Sequence, residues 1–253
     1  MLPPELEESL PESLTETFNT VRMGVKRSAE IYIQLCTLAE RLSKRNLGLA
    51  ADSLRFSLAL DSLSESSMDT YAMETNEVPL LNEGIQATAK HLSTSQGLLE
   101  EEAHVWDEAL LEDIKRQRDT VVGMRDLFER QDRLARDNIP QLERRVAASN
   151  AKLESLRNRA DSSGAGGGVK AGELEKLETS IIQDKESIVA QHARGVFIRE
   201  CVRDELRYFV EASVPAVGRL VQDWSGERVK FAELQAGCWR GLVDEVEGMH
   251  VSI

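Results

Sequence analysis

Between residues 115 and 159 the chain carries twelve lysines and arginines against seven acidic residues, inside a protein of net charge −13. Residues 1–114 run the other way, with 8 basic against 21 acidic, and residues 160–253 carry 11 against 16. A cationic excess confined to one stretch of an acidic chain must be displayed locally, and what it can do chemically is attract an anionic surface. Lys115 and Arg133 are 18 residues apart, as are Arg118 and Arg136, so each pair shares a helix face five turns long. Arg116 and Arg145 border this set, Arg130 and Arg144 fall within about 80° of its line, and Val121, Met124 and Phe128 point broadly opposite. Farther along, Lys152, Arg157, Arg159 and Lys170 flank a glycine-rich stretch. An anionic leaflet attracts each nearby Lys or Arg by about 1 kcal/mol. The same residues also read as a solvated helix face, because Asp119, Asp126, Glu129, Asp132 and Asp137 are in reach to neutralise them. Nucleic acid fits poorly: the block has almost no aromatics to stack on bases, and the whole chain is acidic.

Other chemistry is sparse. Gly166, Gly168 and Ala171 match a relaxed dinucleotide fingerprint, but the residues before them lack the alternating pattern of the required strand, and Val169 stands where a phosphate loop needs Lys. His91, His104, His192 and His250 pair with no cysteine at metal spacing, so no metal or cofactor is expected. No nucleophile, base and orienter can be grouped, so no enzymatic activity is expected. Cys36, Cys201 and Cys238, odd in number and widely spaced, suit small buried hydrophobes in a reduced intracellular chain. Trp106, Trp224 and Trp239 sit among helix-spaced apolar residues and read as packing. Glu100, Glu101 and Glu102 read as a solvated face. The acidic stretch ELEESLPESLTE makes a poor membrane wedge.

The elements that would carry these residues are long helices. Apolar positions recur at helix period through Leu14, Phe18, Val21, Val25, Tyr32, Leu35, Leu38 and Leu42, then Leu49, Leu54, Leu58 and Leu63. Ser13 with Glu16 forms a capping box for this first helix. TNEVP at 75–79 interrupts it, with Asn76 placed to cap a second helix whose first turn admits Pro79. That second helix is expected to kink at Pro140 and the third at Pro215. The cluster Gly164 to Gly168 is the hinge of a helical hairpin. Stripes that persist nearly to the ends of such helices leave apolar surface bare unless a second copy covers it, so an elongated antiparallel homodimer is expected.

Six stretches carry a resemblance: RSAEIYIQLC (27–36), DTYAMETNEVPLLNEG (69–84), LLEEEAHVWDEALLEDIKRQRD (98–119), DNIPQLERR (137–145), HARGVFIRECVRDELRYF (192–209) and QDWSGERVKFAELQAGCWRGLVDEVEGM (222–249). In this order they resemble the BAR domain of sorting nexins, in particular the sorting nexin 8 branch and its fungal vacuolar-sorting relatives. The resemblance implies an all-α fold of three long kinked antiparallel helices in a curved homodimer. It assigns a linker to 1–11, the BAR domain to 12–249 (helices about 12–73, 78–159 and 172–247, tip loop 160–171) and a tail to 250–253. It implies a membrane-curvature-binding, tubule-forming module acting in endosomal cargo sorting and retrograde or recycling transport, peripheral on the cytosolic face. Lys115, Arg116, Arg118, Arg130, Arg133, Arg136, Arg144 and Arg145 would then lie on the concave face, and Lys152, Arg157, Arg159 and Lys170 at the tip. Expected partners are an anionic, phosphoinositide-containing membrane, a second copy with further assembly, and the family's upstream PX domain, for which residues 1–11 offer no counterpart. A soluble coiled-coil scaffold binding proteins only is the alternative.

Overall fold

A computed structural model describes residues 7, 10–72, 78–162, 171–247 and 249, and the described residues contain helices and no strand. The first run is one helix, α1, Leu14–Thr70. The second comprises α2 (Val78–Val105), a single π-helical stretch Trp106–Leu111, α3 (Glu112–Leu134) and α4 (Ile139–Ser162). The third, α5, spans Ala171–Val246 and runs through Pro215 without ending. Asn76, the glycine hinge and Lys170 lie outside the described residues. The helix of α4 directly precedes that glycine cluster, and so removes the strand that the dinucleotide fingerprint requires.

At Pro140 the structure differs from the expected kink. Helix α3 stops at Leu134, and α4 restarts at Ile139 with Pro140 in its first turn, where a missing N–H leaves no bond unmade. Asn138 O accepts the amides of Gln141 and Leu142, both at 3.0 Å. The Asn138 amide is itself held by Gln191 Oε1 of α5 at 3.0 Å.

Contacts divide the chain into two units, Met1–Val25 with Gly123–Val210 (unit one) and Lys26–Val122 with Glu211–Ile253 (unit two). In unit two, α1 and α2 meet along a seam of small residues. Ser43 Oγ donates to Ala103 O at 3.2 Å, Ser57 Oγ to Ala89 O at 2.8 Å, and Ser67 Oγ to Asn82 Oδ1 at 2.5 Å, so the two helices run antiparallel. Ala50 on this seam is wholly buried. Small side chains let the two backbones approach closely, and the hydroxyls satisfy themselves on carbonyls of the facing helix. Helix α5 runs antiparallel to α2 here, with Ser95 bonded to Gln235 at 3.1 Å and Glu102 paired with Arg228, whose guanidinium also lies over the Trp106 ring.

What this packing leaves outside is the stripe of large apolar residues. Leu35, Leu38, Leu42, Leu49, Leu54, Leu58 and Leu63 of α1 are all exposed in the single chain, as are Trp224 and Trp239 of α5. Of the three tryptophans expected to be core, only Trp106 is buried within the chain. The cysteines divide similarly: Cys36 is buried, Cys238 half-buried and Cys201 exposed. The histidines also hold a surprise, since buried His91 Nδ1 meets Cys238 Sγ at 3.1 Å across 147 residues, and its ring meets that of Trp239 at a tilt of 51° with centroids 4.0 Å apart.

Unit one has its core in Leu14, Phe18, Phe128 and Val202, where Phe18 and Phe128 meet edge to face at 6.2 Å. Helices α4 and α5 are clasped antiparallel by ion pairs: Arg145 with Asp184, Lys152 with Glu173 at 3.8 Å, and Arg157 with Glu178 at 2.5 Å.

Candidate functional site

The apolar side of the basic stretch settles its orientation. Val121, Met124 and Phe128 of α3 are all buried, as their spacing predicts, and Arg130 and Arg133, which follow on the same helix, are exposed. The nominated cations then fall into three groups according to what they touch.

Lys115, Arg116 and Arg118 of unit two are engaged along their own helix. Lys115 Nζ lies 2.7 Å from Glu112, Arg116 pairs with Asp113, and Arg118 Nε lies 2.9 Å from Asp119. The Glu112 hydrogen bond lifts the Lys115 ammonium above its usual pKa, and the Arg118 hydrogen bond holds Asp119 below the usual carboxylate range. Each of these cations brings its counter-charge with it.

Arg145, Lys152 and Arg157 of unit one are engaged across helices in the α4–α5 clasp. Asp184 is buried, and the Arg145 hydrogen bond depresses its pKa. Arg159 is exposed and has a partner of its own.

The third group is Arg130, Arg133, Arg136 and Arg144 of unit one, at the end of α3, in the break and at the start of α4. All four are exposed, and none forms an ion pair with a described residue. Of the acidic residues around them, Asp126 and Glu129 are engaged by Arg125, at 2.9 and 4.0 Å, Asp132 by Arg22 of α1 at 2.7 Å, and Asp137 turns to the Ile139 amide at 3.4 Å. Arg136 also receives Arg194, which donates to its carbonyl at 2.9 Å. Four uncompensated guanidinium groups within fifteen residues can attract an anionic surface. Arg22, Arg194 and Arg199, which join the break from α1 and α5, carry no local sequence signal, because only the packing of distant helices brings them there.

Among the described residues no cluster of His, Cys, Asp or Glu could hold a metal ion, and no helix is long and apolar enough to cross a membrane.

Comparison with known proteins gives one consistent result. Residues 1–252 match the family model described as the sorting nexin 8/Mvp1 BAR domain. The chain is 64% identical over 251 residues to sorting nexin mvp1 of Aspergillus oryzae, covering 99% of this chain and 34% of that protein. It is 53% identical over 248 residues to sorting nexin mvp1 of Neurospora crassa, covering 98% of this chain and 31% of the relative. The chain thus spans about a third of the length of these relatives. A solved structure described as the cryo-EM structure of the SNX-BAR Mvp1 tetramer superposes with a TM-score of 0.81 at 25% identity, covering 96% of this chain and 63% of that one.

Proposed function

The chain belongs to the sorting nexin 8/Mvp1 BAR-domain family, and from that membership we propose that it is a dimeric module that adsorbs to anionic, curved endosomal membrane from the cytosolic side and supports tubules for cargo sorting and retrograde or recycling transport. The observation that carries the membrane part is the set Arg130, Arg133, Arg136 and Arg144, all exposed and none in an ion pair with a described residue. At about 1 kcal/mol per arginine near an anionic leaflet, four per subunit, doubled in a dimer, suffice for reversible adsorption. Lys115, Arg116 and Arg118 add less, since paired surface charges present a weaker field. Tip contact by Lys152, Arg157, Arg159 and Lys170 belongs to the same reading.

The dimer part rests on the bare apolar stripe of α1 and α5 in unit two, which needs a cover of matching chemistry. A second copy supplies one, and the tetramer known for the Mvp1 relative supports further assembly. Phosphoinositide recognition would fall to a PX domain in the remaining length of such proteins.

Cosedimentation with phosphatidylserine vesicles at low and high ionic strength tests the membrane reading. Binding should be strong at low salt and fade as the Debye length shrinks from about 30 Å at 0.01 M to about 10 Å at 0.1 M. Curvature preference shows as tighter binding per lipid area to small vesicles than to large ones. The self-neutralised Lys115, Arg116 and Arg118 favour the second reading, a protein-only scaffold, and vesicle binding that is absent at low salt would establish it.

A further inference from the structure

The break between α3 and α4 opens a cavity of about 410 Å³ within unit one, walled by Arg22 of α1, Gln131 of α3, Asp137 from the break, and Gln191, His192 and Arg199 of α5. That volume lies in the range of small-ligand sites.

Two features of its walls are out of balance. Arg199 forms no ion pair with a described residue, and its Nε is buried without an acceptor; the Arg22 Nε is likewise buried and unpartnered. Buried donors without acceptors are rare, and each calls for an explanation in a missing partner. The carboxylates nearby do not supply one. Asp132 is held by Arg22 Nη2 at 2.7 Å, Glu7 by His192 Nε2 at 3.0 Å, and Glu200, beside Arg199 in sequence, by Arg203 through Oε1, while its Oε2 is buried and bonded to nothing, Arg199 included. Asp137 turns to the Ile139 amide at 3.4 Å, which caps α4.

The Arg22 guanidinium is also fixed in place, lying over the Phe128 ring at 5.2 Å. A guanidinium so held is preorganised, losing little rotamer freedom when it binds. A planar fork of donors matches the oxygens of a phosphate, which accepts several charge-assisted hydrogen bonds at once.

We infer that this cavity is an anion site that takes a phosphomonoester, with Arg199 as its principal ligand and Arg22 as the second. It is a discrete pocket, separate in kind from diffuse adsorption by the exposed arginines. Its phosphate can come from a lipid headgroup or from a soluble phosphate.

Titration calorimetry with inorganic phosphate at low salt tests the site itself. The unsubstituted chain should bind saturably, one phosphate per subunit. Arg199→Gln should bind about tenfold more weakly, which is about 1.4 kcal/mol, and Arg199→Lys should fall between them because it keeps the charge and loses the fork. Helicity and subunit mass of each variant verify the fold. Vesicles then distinguish the source: phosphatidic acid presents a phosphomonoester, and phosphatidylserine at equal surface charge does not. A preference for phosphatidic acid that Arg199→Gln and free phosphate both abolish assigns the lipid source. Saturable, Arg199-dependent phosphate binding without that preference assigns a soluble one. Phosphate binding that is non-saturable, or equal in the unsubstituted chain and Arg199→Gln, overturns the inference. Failure of the membrane reading shows separately, as loss of binding to phosphatidylserine vesicles.

Discussion

Unit two places leucines along the exposed side of α1 and two tryptophans on α5, while carrying 14 basic against 24 acidic residues over its length. Unit one buries its aromatic pair and leaves Arg130, Arg133, Arg136 and Arg144 outside. Both exposures arise in the same way. In unit two the α1–α2 seam is filled by serines and alanines, so the large residues of the stripe have nowhere to go within one chain. In unit one, Arg22 engages Asp132 and Arg125 engages Asp126 and Glu129, three of the carboxylates around the four arginines. An unsatisfied surface is thus made by what its neighbours already bind, and its chemistry is what each proposed partner has to match: apolar for the proposed second copy, cationic for the proposed anionic membrane.

The sharpest way to break this comparison is to place charge on both exposed surfaces. Leu42→Glu with Leu49→Glu should abolish the dimer, since each carboxylate would be desolvated at a cost of several kcal/mol; sedimentation equilibrium should then find the 28.2 kDa subunit. Leu134→Glu, equally exposed but in unit one, should leave the mass of the dimer unchanged. A dimer that survives the first pair of substitutions places the interface elsewhere.

The small-residue seam can be tested by overpacking it. Ala50→Leu should destabilise the protein by about 1–3 kcal/mol, because a wholly buried alanine on a close helix contact has no room for three more carbons. Ala51→Leu, one residue along and exposed, should leave the melting temperature nearly unchanged.

A smaller effect follows from the buried carboxylate of unit one. Arg145 lowers the pKa of Asp184 in the folded state, so the stabilisation is complete above the unfolded carboxylate value of about 3.9 and is lost as pH falls from there through the folded value. Thermal melts should therefore decline across that acid window, and Asp184→Asn should flatten the decline while lowering stability at neutral pH. An Asn variant with the same acid slope as the unsubstituted chain removes Asp184 from the account.

Much of this fold could be read from periodicity. The spacing of Val121, Met124 and Phe128 predicts a buried face, and all three are buried. The ion pairs of Lys115, Arg116 and Arg118 lie one or three residues away along the chain, within reach of a helical reading. What periodicity cannot supply is the identity of the covering partner. Leu42 and Trp239 sit at helix-spaced apolar positions just as Phe128 does, yet only Phe128 is covered within the chain. Pairing across helices is equally hidden: Asp184 reaches Arg145 over 39 residues, Asp132 reaches Arg22 over 110, and Cys238 reaches His91 over 147. The break before Pro140 belongs with these, because the Asn138 amide depends on Gln191 from another helix. Composition located the basic block, and only the structure separates its paired cations from its unpaired ones.

That separation is the central claim, and one comparison tests it at constant charge. Arg130→Gln/Arg133→Gln/Arg136→Gln and Lys115→Gln/Arg116→Gln/Arg118→Gln each remove three positive charges from a subunit, and cosedimentation with phosphatidylserine vesicles at low salt measures both against the unsubstituted chain. The first triple variant should lose about 3 kcal/mol per subunit, a fall in affinity of about two orders of magnitude. The second should lose less than about 1 kcal/mol, because its cations are already paired. Equal losses in the two variants would contradict the account and return the membrane contact to the basic block as a whole.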